Sequence, residues 1–202
     1  MALKKAMLQK MFPQNGATTP EIRFKGFSGE WSNGKIYQIA ERYDNLRVPV
    51  SACDRIVGTT PYYGANGIQS YVKGYTHVGE YILVAEDGAN DLINYPVQYV
   101  NGKIWVNNHA HVLQTKDKIA DNRFLKYAFS QINVASFIVG GSRAKLNAET
   151  MMQLELQYCS NINEQQKIGT YFRNLDDLIT KHATQIEKLK QIKYACLERM
   201  FV

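Results

Sequence analysis

The clearest hydrophobic pattern lies at the end of the chain. Ile168, Phe172, Leu175, Ile179, His182, Ile186, Leu189, Lys193, Cys196 and Met200 step by four, three, four, three, and eight of the ten are apolar. An unbroken alternation of four and three is a 3.5-residue period, the seam of a coiled coil. Asn161, with Glu164 three places on, fits a capping box with Asn as the cap, so a helix is predicted to begin there. No proline follows Pro96. A helix from Glu164 to Met200 is about 55 Å long, and a single apolar stripe on such a rod is covered only by another helix. Ile168, Phe172, Leu175, Ile179, Ile186, Leu189 and Met200 are the residues expected to meet that partner.

The middle of the chain has a different texture. Tyr81-Ile82-Leu83-Val84-Ala85, Lys103-Ile104-Trp105-Val106 and Ala110-His111-Val112-Leu113-Gln114 are short apolar or β-branched runs bounded by turn residues, and predict strands. Asn66-Gly67 and Asn101-Gly102 are hairpin or turn signals. Asp121 to Ile132 predicts a helix with an Asp cap and Phe124, Leu125, Ala128 and Ile132 turned inward. The expected fold class is α+β: a mixed domain with a curved or barrel-like sheet, followed by a long C-terminal coiled-coil helix.

The beginning of the chain repeats its end. Leu3 to Phe12 aligns without gaps to Ile192 to Phe201 at a constant offset of 189 residues, with Lys, Ala, Leu, Met and Phe identical at five of ten positions. Pro13 to Pro20 then reads as a linker of turn-forming residues. The expected organisation is a helix end at 1–12, a linker at 13–20, a recognition domain at 21–160 and a spacer or dimerisation helix at 161–202.

Composition narrows the class. Of 202 residues, 45% are hydrophobic and 21% charged, as in ordinary globular proteins. No apolar run approaches the ~18 residues of a membrane span, and no signal peptide is evident, so a cytoplasmic location is expected. Three widely spaced cysteines, Cys53, Cys159 and Cys196, make neither a disulfide framework nor a zinc motif. The net charge of +6 favours a polyanionic partner. Residues 161–202 contribute seven Lys/Arg against five Asp/Glu, so most of the surplus lies in the preceding domain.

Enzyme chemistry finds little footing. No Gly-x-x-x-x-Gly-Lys-Ser/Thr phosphate loop occurs. Neither an Asn/Asp-Pro-Pro-Tyr/Phe loop nor a nuclease-type acidic motif ahead of Gln165-Gln166-Lys167 is present. His109 and His111 share one face of a strand and, with Glu86, Asp87 or Asp91, form the best metal candidate. A scaffold role suits these histidines better, and no metal or catalytic residue is assigned.

Several blocks carry a family resemblance. Thr60 to Ile68 (TPYYGANGI), Gly102 to Leu113 (GKIWVNNHAHVL), Gly140 to Asn147 (GGSRAKLN), Asn163 to Ile168 (NEQQKI) and Arg23 to Trp31 (RFKGFSGEW) resemble, in order, the specificity subunit of type I restriction–modification enzymes. The proline that often precedes the Glu-Gln pair in that family is absent here. A typical member carries two recognition domains and two spacer helices, so this chain resembles a half subunit. The resemblance implies a non-catalytic reader of double-stranded DNA that recognises one half of a bipartite target. It implies docked methyltransferase (modification) subunits and restriction subunits, which would use S-adenosylmethionine, ATP and Mg, and a homodimer or head-to-tail pair of halves.

DNA reading asks for Arg, Lys and hydroxyls at phosphates and for Arg, Lys, Asn or Gln at bases. Ser142, Arg143 and Lys145, beside flexible glycines, are the expected phosphate binders. Arg42, Tyr43, Arg47, Arg55, Tyr62, Tyr63, Asn66 and Lys73 interleave basic and aromatic residues and are the candidate base readers. Arg42, Arg47 and Lys73 lie outside the family blocks and are favoured for specificity. Two other classes remain open at this point: a small metal-dependent nuclease built on the His109/His111 pair, and a coiled-coil scaffold or inhibitor without DNA contact.

Overall fold

The computed structural model describes residues 2–139 and 145–200. In chain order the elements are α1 (Ala2–Met11), β1 (Ser32–Lys35), α2 (Ile36–Ile39), β2 (Ala40–Arg42), β3 (Val57–Gly64), β4 (Gly67–Val72), β5 (His77–Ala85), β6 (Val97–Val106), β7 (Ala110–Thr115), α3 (Asn122–Phe129), α4 (Ala148–Gln153), β8 (Glu155–Tyr158) and α5 (Ile162–Met200). This is an α+β fold with a long C-terminal helix.

Six strands form one mixed sheet in the order β2-β7-β5-β6-β3-β4, with edges at β2 and β4. β3 runs parallel to β6, and the other neighbours are antiparallel. The central position of β5 follows from its sequence. The run Tyr81 to Ala85 has no polar face, and both faces are covered. Ile82 and Val84 enter a core with α3 and the start of α5, while Tyr81 and Leu83 enter a second core with Val100, Ile104, Val106 and Val112. A separate ribbon pairs β1 with β8.

The Asn66-Gly67 signal makes the β3–β4 hairpin, where Gly64 pairs with Gly67 and Gly67 has φ +122°. Asn101-Gly102 makes no turn. Gly102 (φ +100°) lies inside β6 opposite Gly79 (φ +136°) of β5, so the two glycines bend a continuous ladder together. Two-residue hairpin signals depend on what the strand pairs with, which local sequence does not contain.

α3 carries the expected cap, with the Phe124 N–H donating to Asp121 Oδ1 at 2.9 Å. At the start of α5, Asn161 Oδ1 accepts from the Asn163 and Glu164 N–H groups at 3.0 and 3.4 Å. Glu164 does not complete the capping box. It is fully buried and takes a fork from Arg23, with Nε at 2.7 Å and Nη2 at 2.8 Å. Gln165 is also buried. It accepts from the Asp121 N–H and donates to the Ile119 and Cys159 carbonyls. The Glu-Gln pair therefore fastens the root of α5 to the N-terminal segment and to α3. At Gly169 a Cβ would lie 2.8 Å from both Arg123 Cβ and the Phe124 nitrogen, so this glycine permits the close α3–α5 approach.

The seam of α5 divides into two parts. Ile168 and Phe172 are buried in the chain's own core, Phe172 against Phe12 and Tyr127, and Leu175 packs at its margin. These three do not await a partner helix, because the domain and α1 already cover the first turns. Ile179 is half-buried, whereas Ile186 and Leu189 are 54% and 65% exposed. Every residue from Lys181 to Arg199 is exposed, a stretch of about 28 Å. The Met200 side chain lies outside the described set.

Candidate nucleic-acid interface

The first group of predicted readers sits around a buried ionic cluster. Arg47 donates from Nη1 to Glu86 Oε2 at 2.6 Å and to the Ala110 carbonyl at 2.9 Å, and from Nε to the Asp44 carbonyl at 3.1 Å. Its side chain is only 15% exposed. Its donors are engaged within the fold. Lys145 holds the other Glu86 oxygen at 2.7 Å. His111 is fully buried between two acceptors, Asp44 Oδ2 at 2.6 Å and the Leu146 carbonyl at 2.9 Å. Asp44 Oδ1 takes the Val112 N–H at 2.7 Å.

The electrostatics follow from these bonds. Burial works against the charged form of Asp44, but His111, the Val112 N–H and Arg47 more than offset it, and its carboxyl lies below the ordinary carboxylate value. Burial likewise opposes ionised Glu86, and Lys145 and Arg47 together pull it below its ordinary value. The cluster joins the segment around Asp44 to β5, β7 and Lys145. Val139 and Lys145 bond to each other through both backbone groups, and Leu146 N–H donates to the Glu86 carbonyl. The predicted phosphate binders Ser142 and Arg143 lie outside the described residues. Lys145 is half exposed but committed to Glu86.

Asp44, Glu86 and His111 are also the one group of three potential metal ligands found together among the described residues. Two carboxylates facing Arg47 and Lys145, with both ring nitrogens of His111 within hydrogen-bond distance of protein oxygens, form a set of internal ion pairs and hydrogen bonds. The metal candidate weighed from the sequence does not assemble among the described residues. His109 pairs at the surface with Asp87 at 2.6 Å, His111 goes inward, and Asp91 caps Ile93 and Asn94. The alternating-face argument fails at His109 because β7 begins only at Ala110.

The second group surrounds the β3–β4 hairpin. Tyr62 is buried, and its hydroxyl exchanges hydrogen bonds with the Val50 backbone at 3.0 and 3.2 Å. Arg55 lies over its ring at 4.0 Å and donates to the Val50 carbonyl, Ser70 and Gln69. Asn66 bridges the hairpin tip to the Gly88 carbonyl and the Asn90 N–H. Tyr63 and Tyr43 are each half-buried against the second core, and the Tyr43 hydroxyl donates to Glu41. Tyr62, Arg55 and Asn66 thus each bond within the fold.

Two predicted readers project. Lys73 is exposed beyond β4, and Arg42 is exposed at 3.8 Å from Asp44, too far for a close ion pair. Near Lys73 in the chain the structure adds residues that sequence did not single out. Tyr71 and Tyr75 are about half exposed, and Lys103 of β6 sits 5.0 Å from the Tyr75 ring. A signal existed in Tyr71-x-Lys73-x-Tyr75, which alternates aromatic and basic residues. Lys103 was hidden because β6 reaches Tyr75 only through long-range pairing.

A sheet domain with exposed aromatic and basic residues at one end, and a bare-striped helix leaving the other core, has the architecture of a recognition module carried on a spacer helix. Residues 28–191 match the model of the type I restriction modification DNA specificity domain, and the chain belongs to that family. It is 42% identical over 143 residues to a putative type I restriction enzyme specificity subunit of Haemophilus influenzae, covering 71% of this chain and 36% of that protein. A putative type I specificity subunit of Mycoplasma pneumoniae is 27% identical over 143 residues, covering 68% of this chain and 38% of the relative. The fold matches the solved S subunit of a type I restriction–modification system from M. genitalium with a TM-score of 0.68 at 17% identity, over 84% of this chain and 45% of that one. It also matches the HsdS subunit from Thermoanaerobacter tengcongensis, at TM-score 0.57 and 12% identity over 89% and 44% of the two chains. The chain spans rather more than a third of these curated relatives and somewhat under half of the solved subunits.

Proposed function

We propose that this chain is a non-catalytic DNA reader that recognises one half of a bipartite target and pairs through α5 with a second copy of itself. The observation that carries the reading is the apolar seam past Ile179, bare along about 28 Å of helix, on a chain of the specificity family. Exposed apolar residues at heptad spacing are stabilised by a second helix. Two copies paired antiparallel hold identical readers at opposite ends of a rod of about 58 Å, against a DNA turn of about 34 Å, with unread base pairs between. Identical readers in that arrangement recognise an inverted repeat with a gap. Tyr71, Lys73, Tyr75, Lys103 and Arg42 are the readers and phosphate contacts supported by exposure. Methyltransferase subunits, and restriction subunits with them, dock on this frame and supply the S-adenosylmethionine, ATP and magnesium chemistry.

The test is the methylated motif in cells that carry this chain with its methyltransferase partner. A gapped inverted repeat is the expected result. An ungapped or asymmetric motif contradicts the homodimeric reading.

A further inference from the structure

The sequence repeat acquires a physical meaning in the fold. Its first copy, α1 with the Phe12 that follows it, touches the opening turns of α5 at two places. Lys4 Nζ is 2.5 Å from Asp176, and eight residues on, the Phe12 ring lies 6.1 Å from Phe172. Phe12 is buried, stacked on Phe124 at 5.6 Å and edge-on to Trp31 at 5.5 Å. The domain therefore has a seat shaped for a helix that ends Met-Phe and carries a lysine eight residues earlier. The second copy of that sequence, from Ile192 onward, is exposed as far as Arg199 on its own chain.

Two considerations bear on where that second copy would sit on another molecule. If residues 192–201 of a partner take the place of α1, Lys193 on Asp176 puts the two-fold axis between Thr184 and Gln185, and Phe201 on Phe172 puts it between Ile186 and Glu187. The apolar ladder of α5 supplies the other consideration. An antiparallel pair that opposes Phe172 to Cys196, Leu175 to Lys193, Ile179 to Leu189 and His182 to Ile186 keeps every rung filled, and its axis lies at Thr184. This axis lies half a residue from the one set by Lys4 and Asp176 and two and a half residues from the one set by Phe12 and Phe172. A shift by one heptad also preserves the ladder and puts the axis between Glu187 and Lys188, nearer the one set by Phe12 and Phe172, so the register is decided by the cross-linking positions below.

We propose that α1 is a resident stand-in for the end of a second copy's spacer helix, so that α1 docking and antiparallel pairing compete for one seat. This rests on the self-pairing proposed above. Competition makes the two lysines opposite in effect, although they are equivalent in the repeat. Lys4 holds the stand-in, and Lys193 holds the partner.

The test is sedimentation equilibrium of the full chain and of the Lys4→Glu and Lys193→Glu variants, with maleimide cross-linking through Ala183→Cys or Lys190→Cys in a Cys53→Ser/Cys196→Ala background. Lys4→Glu is expected to tighten self-association about fivefold and Lys193→Glu to weaken it about fivefold, the scale of a partly exposed ion pair. Ala183→Cys, two residues from its mirror position, cross-links. Lys190→Cys, twelve residues from its mirror position and so about 18 Å away, does not. If Lys4→Glu leaves affinity unchanged or weakens it while Ala183→Cys cross-links, pairing stands and the competition is overturned. Cross-linking through position 190 instead overturns the register. A chain that is monomeric in every form removes both this inference and the self-pairing beneath it.

Discussion

Replacing Arg47 by alanine separates a residue that reads DNA from one that holds the reader together. The guanidinium makes a 2.6 Å ion pair with Glu86 and bonds to the Ala110 and Asp44 carbonyls. Cutting one partner from a buried pair costs roughly 3–5 kcal/mol when the other charge is left alone. Here Glu86 keeps Lys145 and Asp44 keeps His111, so the expected loss is about 2–3 kcal/mol. The sign of the pH dependence follows from the same cluster. The carboxyls of Asp44 and Glu86 lie below their ordinary values in the folded state, so their stabilising contribution is fully present above the ordinary carboxylate range. It is lost as pH falls through about 4 and towards the depressed values. Urea unfolding at pH 7 and at acid pH measures both effects. Arg47→Ala should lower the midpoint at pH 7 and flatten the acid-side decline, while cognate and random duplexes lose affinity alike. An unchanged midpoint with relaxed recognition at a single base position would refute the structural role and restore Arg47 as a reader.

Other substitutions probe the remaining parts. Gly169→Ala should destabilise the chain by about 1–3 kcal/mol in thermal or urea unfolding, because the clash with Arg123 and Phe124 outweighs the ~1 kcal/mol of helix propensity gained. Lys73→Ala and Lys103→Ala should each weaken binding to all duplexes and reduce the salt slope by about one, measured by titration at several salt concentrations, with unfolding changed by less than about 0.5 kcal/mol. Ile186→Glu should abolish self-association in light scattering while leaving the circular dichroism of the domain intact, since Ile186 is 54% exposed in the single chain.

Much of the fold was legible because its signals are local. The unbroken apolar run of β5 marks a strand buried on both faces, the Asp121 cap marks α3, and the four–three ladder marks α5. The ribbon of Ser32–Lys35 with Glu155–Tyr158 was not legible, because its first strand is polar and its partner lies far along the chain. The site was harder to read for a related reason. Arg47 looks like a free surface arginine until Glu86 is brought beside it, and Glu164 looks like half of a capping box until Arg23 arrives from the other end of the sequence. Basic residues show in a sequence, but which of them are already neutralised depends on contacts made only in three dimensions. The repeat at 3–12 showed at once that the two helix ends are alike, and only the fold showed that one of them occupies a seat.

The account stands on α5 acting as the ruler between two readers. Inserting one heptad into its exposed stretch between Lys181 and Leu189 lengthens each helix by about 10 Å, the rise of about three base pairs. The methylated motif of such a variant should keep both half-sites and widen the gap by that amount. A motif with an unchanged gap would contradict the claim that the paired helices set the spacing.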